Sequence, residues 1–167
     1  MKNNIRRYLA CDLGAESGRL IRGILENGRL FLDEIHRFQN IPVRSGDSLH
    51  WDLGSLQDEI IVGLKKVGAL GESFESISCD SWGVDYVLYD SQGTHINPTF
   101  HYRDPRTAEG VKKIFNRLPW ERIFMESGIQ FMPLNALFQM GAETSDRLKA
   151  AASFGGVGDA FNHWLGG

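Results

Sequence analysis

Hydrophobic and polar positions in the first forty residues alternate in a way that predicts three strands. Residues 8–13 are mostly apolar, contain an aspartate near their end, and run directly into a segment with two glycines and a hydroxyl. Residues 19–26 and 29–38 are typical of paired strands. Asn27-Gly28 between them suits a two-residue hairpin, because both positions accept a positive φ. The pattern therefore predicts a strand followed by a hairpin.

A helix is predicted next, after a polar loop over residues 39–48. Apolar residues recur every three or four positions between residues 53 and 70, and Asp52 can cap the helix start. Beyond the helix, residues 74–80 and 86–90 are predicted to form strands. A strand that returns after a helix implies a parallel crossover.

The remainder of the chain changes to a helical pattern. Helices are predicted over residues 107–118, 120–127 and 135–151. Residues 154–159 are dense in glycine, and so many glycines would weaken an apolar strand there. With strands first and helices later, the order of elements favours an α/β fold.

Composition restricts the class of protein. A length of 167 residues fits about one domain, and 42% hydrophobic with 23% charged residues is typical of a globular protein. The net charge of −3 gives no electrostatic reason to expect nucleic acid or an anionic membrane as a partner. No apolar run is long enough to span a bilayer, and the first seven residues lack a signal-peptide core. We therefore expect a cytoplasmic protein with neither a nucleic-acid nor a membrane partner.

The two cysteines, Cys11 and Cys79, lie in separate apolar stretches rather than in a spaced metal-binding pattern. Free cysteine is among the most buried residue types. We expect two buried free thiols and no zinc site.

The first segment with chemical content runs from Asp12 to Arg19. A turn of small residues after a buried strand lets backbone N–H groups converge on an anion, and a carboxylate at the strand end can hold Mg²⁺ through water. Gly14 and Gly18 allow close approach, while Ser17 and Arg19 offer donors to phosphate oxygens. The segment matches neither a Walker A loop nor a dinucleotide fingerprint. It could equally be an ordinary hairpin turn, since Asp, Gly and Ser favour turns for local reasons.

A second segment contains Asp80, Trp82, Gly83 and Asp85 at the end of a predicted strand. A sugar site needs carboxylates that accept hydroxyl hydrogens, a flat aromatic ring, and a glycine where the sugar approaches the backbone. This segment supplies all three. The alternative interpretation is that both aspartates are turn residues and that the indole belongs to the core.

A third segment surrounds Asp104-Pro105, which could start a helix with proline in its first turn. Arg103 or Asp104 could face a polyol, or the two could form a structural ion pair. His101 alone is weak evidence for a ligand or a base. The methionine and aromatic residues that follow are interpreted as core: Phe124, Met125, Phe131, Met132, Phe138 and Met140.

Taken together and in this order, several segments resemble the FGGY family of carbohydrate kinases. Within the family they are most similar to members that phosphorylate L-rhamnulose. The segments that carry the resemblance are 12–19, 34–38, 50–52, 80–85, 102–107 and 127–131. One departure is Gly158-Asp159, where the family usually has Pro-Asp.

The resemblance implies an α/β domain of the ribonuclease H-like, actin-like ATPase fold. Its mixed sheet would contain the N-terminal strand and hairpin, with flanking helices. ATP phosphates would meet Ala15, Glu16 and the rest of residues 15–19, with Asp12 near Mg²⁺. L-rhamnulose would lie near Gly83 and Asp85, with Trp82 and Arg103 as further neighbours. The implied reaction transfers the γ-phosphoryl group of ATP to the C1 hydroxyl.

Family members are about three times as long as this chain on what the resemblance implies. Residues 1–167 would then be an incomplete N-terminal domain, with the second ATPase-like domain and the general-base aspartate beyond Gly167. We expect no catalytic residue within the chain, no substantial activity from it alone, and self-association through apolar surface left uncovered. Two alternatives stay open: a kinase for another sugar such as L-fuculose, and a non-catalytic actin-like or chaperone-like nucleotide-binding module.

Overall fold

The computed structural model describes residues 5–167, which divide into two compact units. Unit 1 contains residues 5–41, Asp52–Trp82 and Val157–Gly167, and unit 2 contains Pro42–Trp51 and Gly83–Gly156. Residues 1–4, part of the start that lacks a signal-peptide core, lie outside the described residues.

The strands are β1 (Arg6–Leu13), β2 (Ser17–Glu26), β3 (Arg29–Gln39), β4 (Val43–Ser45), β5 (Ser48–Trp51), β6 (Ser76–Ser81), β7 (Tyr86–Tyr89), β8 (Thr99–Phe100) and β9 (Ser153–Gly156). The helices are α1 (Leu53–Gly68), α2 (Thr107–Phe115), α3 (Trp120–Ser127), α4 (Ala136–Gly141), α5 (Ser145–Ala150) and α6 (Val157–Gly166).

Unit 1 is built on a four-stranded mixed sheet in the order β3-β2-β1-β6. The three N-terminal strands are antiparallel, and β6 lies parallel to β1. Asn27 and Gly28 adopt φ values of 50° and 77° in the β2–β3 turn, as the hairpin signal predicts. Both the hairpin and the parallel crossover are therefore confirmed.

Helix α1 makes the crossover between β3 and β6 with one buried face. Its N-cap is Asp52, whose carboxylate accepts a hydrogen bond of 2.9 Å from the Ser55 N–H. Leu56, Ile60 and Val67 are buried on the face predicted from their spacing. The helix ends at Gly68, two residues before the predicted end.

The core of unit 1 joins this helix, the sheet and α6. It includes both free cysteines, which are buried as predicted. Helix α6 itself was not predicted, although Val157, Ala160 and Phe161 are buried at helical spacing. The helix begins within the glycine-rich residues 155–158, which are not typical of a helix start.

Unit 2 contains a three-stranded sheet in the order β4-β5-β8 and a two-stranded sheet of β7 and β9. Strands β4 and β5 form a hairpin where a loop was predicted, and Gly46 turns between them with a φ of 59°. The expectation that glycines would weaken a strand at residues 154–159 was wrong for its first part. Strand β9 forms because β7, whose first three residues are buried, pairs with it along its whole length.

Helix α3 has the predicted bounds, and α2 ends at Phe115, three residues before the predicted end. Residues 135–151 form α4 and α5 rather than one helix. The break falls at Glu143, which is buried between the guanidinium groups of Arg106 (3.0 Å) and Arg147 (2.8 Å). Thr144 then caps α5 by accepting from the Arg147 N–H. Of the residues interpreted as core, Phe138 is buried, but the prediction was wrong for Phe124, Met125 and Phe131, which are 49%, 81% and 40% exposed.

Candidate functional site

The turn between β1 and β2 is held in shape by its own backbone. The Gly14 N–H donates to the Ser17 carbonyl at 2.8 Å. A Cβ at Gly14 would lie 2.9 Å from that same oxygen, and a Cβ at Gly18 would overlap the ring of Phe38. Both glycines are therefore required by close approach, as the sequence predicts for this segment.

Asn40, directly after β3, makes two hydrogen bonds to the same turn, which we call the clamp. Its N–H donates to the Glu16 carbonyl at 3.0 Å, and its side-chain Nδ2 donates to the Gly14 carbonyl at 2.9 Å. Within residues 5–167, no group accepts a hydrogen bond from the N–H of Ala15 or Glu16. The turn thus presents two adjacent backbone donors from a fixed conformation, which is the arrangement that anion-binding turns use.

Asn40 was missed by sequence reasoning, which assigned it to a loop. The hairpin could have indicated it, because counting outward from Asn27-Gly28 places residues near 39 beside Ser17. The observed register pairs Ser17 with Gln39, one residue further along than simple counting gives, owing to a bulge at Leu20 and Ile21.

Acidic and basic side chains meet beside this turn, at the end of β1. Asp12 forms an ion pair with Arg19, its register partner on β2. On the other side Asp12 is in register with Asp80 of β6, so the two carboxylates extend from neighbouring parallel strands. Among the described residues no group of three or more His, Cys, Asp or Glu side chains is placed to hold a metal ion. Any cation here would keep most of its ligands as water or phosphate oxygens.

The segment that sequence reasoning treated as one sugar-binding edge is divided between the two units. Asp80 and Trp82 belong to unit 1, where Trp82 is half-buried against the core. Gly83 and Asp85 belong to unit 2. The in-register partner of Asp80 is Asp12 of the neighbouring strand.

Asp85 is buried in unit 2, with both carboxylate oxygens held. The Trp51 indole Nε1 donates to Oδ2 at 2.6 Å, and the Gln139 side-chain Nε2 donates to Oδ1 at 2.8 Å. The residue is only 4% exposed. Two donors therefore fix the orientation of this carboxylate.

Gly83 precedes this carboxylate on an exposed turn. Among the described residues other than Gly83 and its two chain neighbours, no atom lies within 4 Å of the position that a Cβ would take at Gly83. The next residue, Val84, has a φ of 70°, which is rare for a β-branched side chain and marks local strain. Such strain persists only where surrounding contacts hold it, and it is common at ligand sites.

His101 lies against the indole of Trp51, with ring centroids 4.1 Å apart. Burial, together with the positive charge of Arg103, lowers the pKa of His101 to about 4. Its Nδ1 accepts a hydrogen bond from the Arg103 N–H at 2.9 Å, so the ring proton of the neutral form is on Nε2. The ring is therefore a neutral donor at physiological pH.

Arg103 and Asp104 have different environments. Asp104 is buried and accepts from the Ser48 hydroxyl and the Leu49 N–H at 2.6 Å each, and from the Arg106 N–H at 2.8 Å. Burial alone would raise the pKa of Asp104, but these hydrogen bonds hold it below its usual value. Arg103 is exposed, with its guanidinium 5.2 Å from the centre of the Tyr102 ring. Asp104 thus anchors the local structure, and Arg103 is the member of the pair that can reach a ligand.

Within residues 5–167, no helix combines the length and apolar character needed to cross a bilayer.

Solved sugar kinases share this fold. Xylulose kinase from Rhodospirillum rubrum superposes with a TM-score of 0.76 over 95% of this chain and 34% of its own, at 16% identity. Gluconate kinase from Lactobacillus acidophilus gives a TM-score of 0.73 over 92% of this chain and 32% of its own, at 12% identity. The fold is therefore the α/β, ribonuclease H-like fold of the actin-like ATPases, as the sequence predicts. No protein-family model matches the chain.

Curated relatives are named rhamnulokinase. Those from Oceanobacillus iheyensis, Mannheimia succiniciproducens and Bacillus subtilis are 37%, 40% and 38% identical to this chain and align with 95%, 98% and 96% of it. The chain spans about a third of their length, between 33% and 35%. The predicted resemblance to the FGGY carbohydrate kinases, and to rhamnulokinase in particular, is confirmed.

Proposed function

We propose that this chain is the N-terminal part of an ATP-dependent kinase that converts L-rhamnulose to L-rhamnulose 1-phosphate and ADP. The observation that carries the proposal is the similarity to curated rhamnulokinases along nearly the whole chain. The clamped turn after β1 gives this similarity a physical basis, because it offers a rigid set of donors to an anion.

ATP phosphates would be bound by residues 15–19. The N–H groups of Ala15 and Glu16 would donate to phosphate oxygens, with the Ser17 hydroxyl and the Arg19 guanidinium as further donors. Gly14 and Gly18 would serve by letting the turn pack tightly. Because the donors are already in place, little free energy would be lost in ordering them when ATP binds.

Mg²⁺ would be held near Asp12, mainly through water. The donor set fits this ion, since Mg²⁺ commonly takes one or two carboxylates together with waters and substrate phosphates. Asp80, in register with Asp12, is the second carboxylate available. The ion would offset phosphate charge as the γ-phosphoryl group is transferred.

The ketose would lie against Gly83, with Asp85 and Arg103 of the same unit as neighbours; Trp82 directly precedes Gly83 in the sequence. Open space beside the Gly83 Cα would let a sugar ring approach the backbone. A carboxylate oxygen can accept more than one hydrogen bond, so Asp85 could accept from a sugar hydroxyl while Trp51 and Gln139 hold it.

Phosphoryl transfer depends on positioning and on charge stabilisation around the whole reacting centre. The general-base aspartate and a second ATPase-like domain would follow Gly167. We therefore define the completed protein as this chain joined to the remaining two thirds, either from its own gene or grafted from the Bacillus subtilis relative. The chain alone should be inactive.

The test is a ketose panel with the completed protein, in which ADP formation is coupled to product analysis by mass spectrometry. We expect L-rhamnulose to give the highest kcat/KM and a monophosphate product. A preference for L-fuculose would move the assignment to another sugar kinase. Hydrolysis of ATP without phosphorylation of any ketose would favour the non-catalytic nucleotide-binding alternative.

Asp85→Ala tests the sugar site within the same assay. We expect a higher ketose KM or a lower kcat, whereas Asp47→Ala, an exposed aspartate in the β4–β5 turn of the same unit, should change neither. An Asp85→Ala protein with unchanged ketose kinetics would contradict the sugar role.

A further inference from the structure

Gln139 makes hydrogen bonds to the strained turn of unit 2, residues 83–85. It belongs to α4 and is only 1% exposed. Its side-chain Nε2 lies 3.1 Å from the Val84 carbonyl, 2.8 Å from Asp85 Oδ1 and 2.9 Å from the Leu134 carbonyl. One amide group thus bridges the backbone and the side chain of consecutive residues in the turn.

The turn needs such support because of Val84. A β-branched residue at a φ of 70° would relax to a negative φ if nothing opposed it. The Gln139 amide opposes it by bonding the Val84 carbonyl, and Trp51 fixes the following carboxylate from its other oxygen at 2.6 Å. The conformation is therefore determined by contacts on both sides.

The conformation of Val84 determines the direction in which the backbone groups of Gly83 point. Gly83 is exposed and, among the described residues, has open space beside its Cα. Because it directly precedes Val84, a change in the φ of Val84 would turn the peptide that joins the two residues. The backbone groups offered at Gly83 would then point in another direction.

We propose that Gln139 is a positioning residue for ketose binding. It keeps Val84 in its strained conformation, so that the backbone at Gly83 and the carboxylate of Asp85 face the sugar in a fixed arrangement. This inference rests on the proposed function, since it assigns the determinant of ketose affinity at the same site.

The test replaces Gln139 with methionine, which is similar in length but has no donor. In the completed protein, Gln139→Met should raise the ketose KM about tenfold, the size expected for losing one conformational restraint. The KM for ATP should change by less than about twofold, because the substitution removes no phosphate contact.

A rescue experiment separates positioning from general damage. Glycine adopts a φ of 70° freely, so Val84→Gly removes the strain that would drive this residue to a negative φ once the Gln139 bond is lost. Adding Val84→Gly to Gln139→Met should therefore restore most of the lost ketose affinity. If Gln139→Met does not fold, Gln139→Leu, which also lacks a donor and introduces no charge beside Asp85, should show the same selective rise in ketose KM.

The control is Gln92→Ala, which removes an exposed glutamine side chain from a turn in the same unit and should change neither KM. Unchanged ketose kinetics in the Gln139 variants, or an equal rise in both KM values without rescue, would overturn the positioning role. Absence of ketose phosphorylation by the unsubstituted completed protein would instead overturn the proposed function, so the two failures are distinguishable.

Discussion

Replacing Asn40 with alanine should weaken ATP binding without touching the phosphate directly. The substitution removes the 2.9 Å hydrogen bond from Nδ2 to the Gly14 carbonyl and leaves the Asn40 N–H bond to Glu16 in place. A hydrogen bond of this kind contributes about 1 kcal/mol, and about 1–3 kcal/mol if its partner is left buried and unpaired. Gly14 is half-buried, so water can replace only part of the lost bond.

We therefore take about 1–2 kcal/mol as the cost to the bound conformation of the turn. At 1.4 kcal/mol per factor of ten, the KM for ATP should rise about 5- to 30-fold. The KM for the ketose should not change, because the hydrogen bond that Asn40→Ala removes lies within the turn of unit 1.

The assay is steady-state kinetics of the completed protein with ATP and ketose varied separately. Asn116→Ala, an exposed asparagine at the end of α2, is the matched control and should leave both constants unchanged. An Asn40→Ala protein that folds normally and keeps its KM for ATP would refute the link between the clamp and phosphate binding.

Further outcomes follow from the same contacts. Gly83→Ala should raise the ketose KM with no loss of thermal stability, since its Cβ meets open space among the described residues. Gly110→Ala should lower the free energy of unfolding by about 1–3 kcal/mol, because its Cβ would overlap the Phe138 carbonyl. Equal melting temperatures for the two variants would contradict this contrast. Burial lowers the pKa of His101 from 6.5 to about 4 in the folded state, so the unfolded state binds more protons between these pH values. The free energy of unfolding should therefore fall as the pH is lowered from 6.5 towards 4. A His101→Gln variant with the same pH dependence of stability in calorimetry would count against this role of His101. The 167-residue chain alone should show no ketose turnover. It should associate in a concentration-dependent way, and Leu32→Lys on the exposed edge strand β3 should reduce that association. A monomer at high concentration in analytical ultracentrifugation would rule out the association.

Local signals were sufficient for most of unit 1. Asn27-Gly28 specified the hairpin, and Asp52 with its apolar spacing specified α1, because each signal acts over a few residues. Gly14 and Gly18 were also identified correctly as close-approach positions. The hairpin, the helix start and the Gly14 turn depend on backbone geometry that neighbouring residues decide, whereas Gly18 is required by the ring of Phe38 on β3.

Features that depend on distant partners were missed. Gln139 bonds to Asp85 across 54 residues, and no local pattern marks that contact. Asn40 bonds to Gly14 across 26 residues, and only the pairing of the whole β2–β3 hairpin indicates it. The break before α5 depends on burying Glu143 between two arginines, which overrides a helical pattern that continues through it. Long-range side-chain pairing, rather than propensity, decided these parts of the site.

The most direct measurement is a crystal structure of the completed protein with a non-hydrolysable ATP analogue, Mg²⁺ and L-rhamnulose. We expect the triphosphate to accept hydrogen bonds from the backbone N–H groups of residues 15–19, and the ketose to lie against Gly83 within hydrogen-bond distance of Asp85. A triphosphate bound away from this turn, or a ketose that contacts neither Gly83 nor Asp85, would contradict the proposed site.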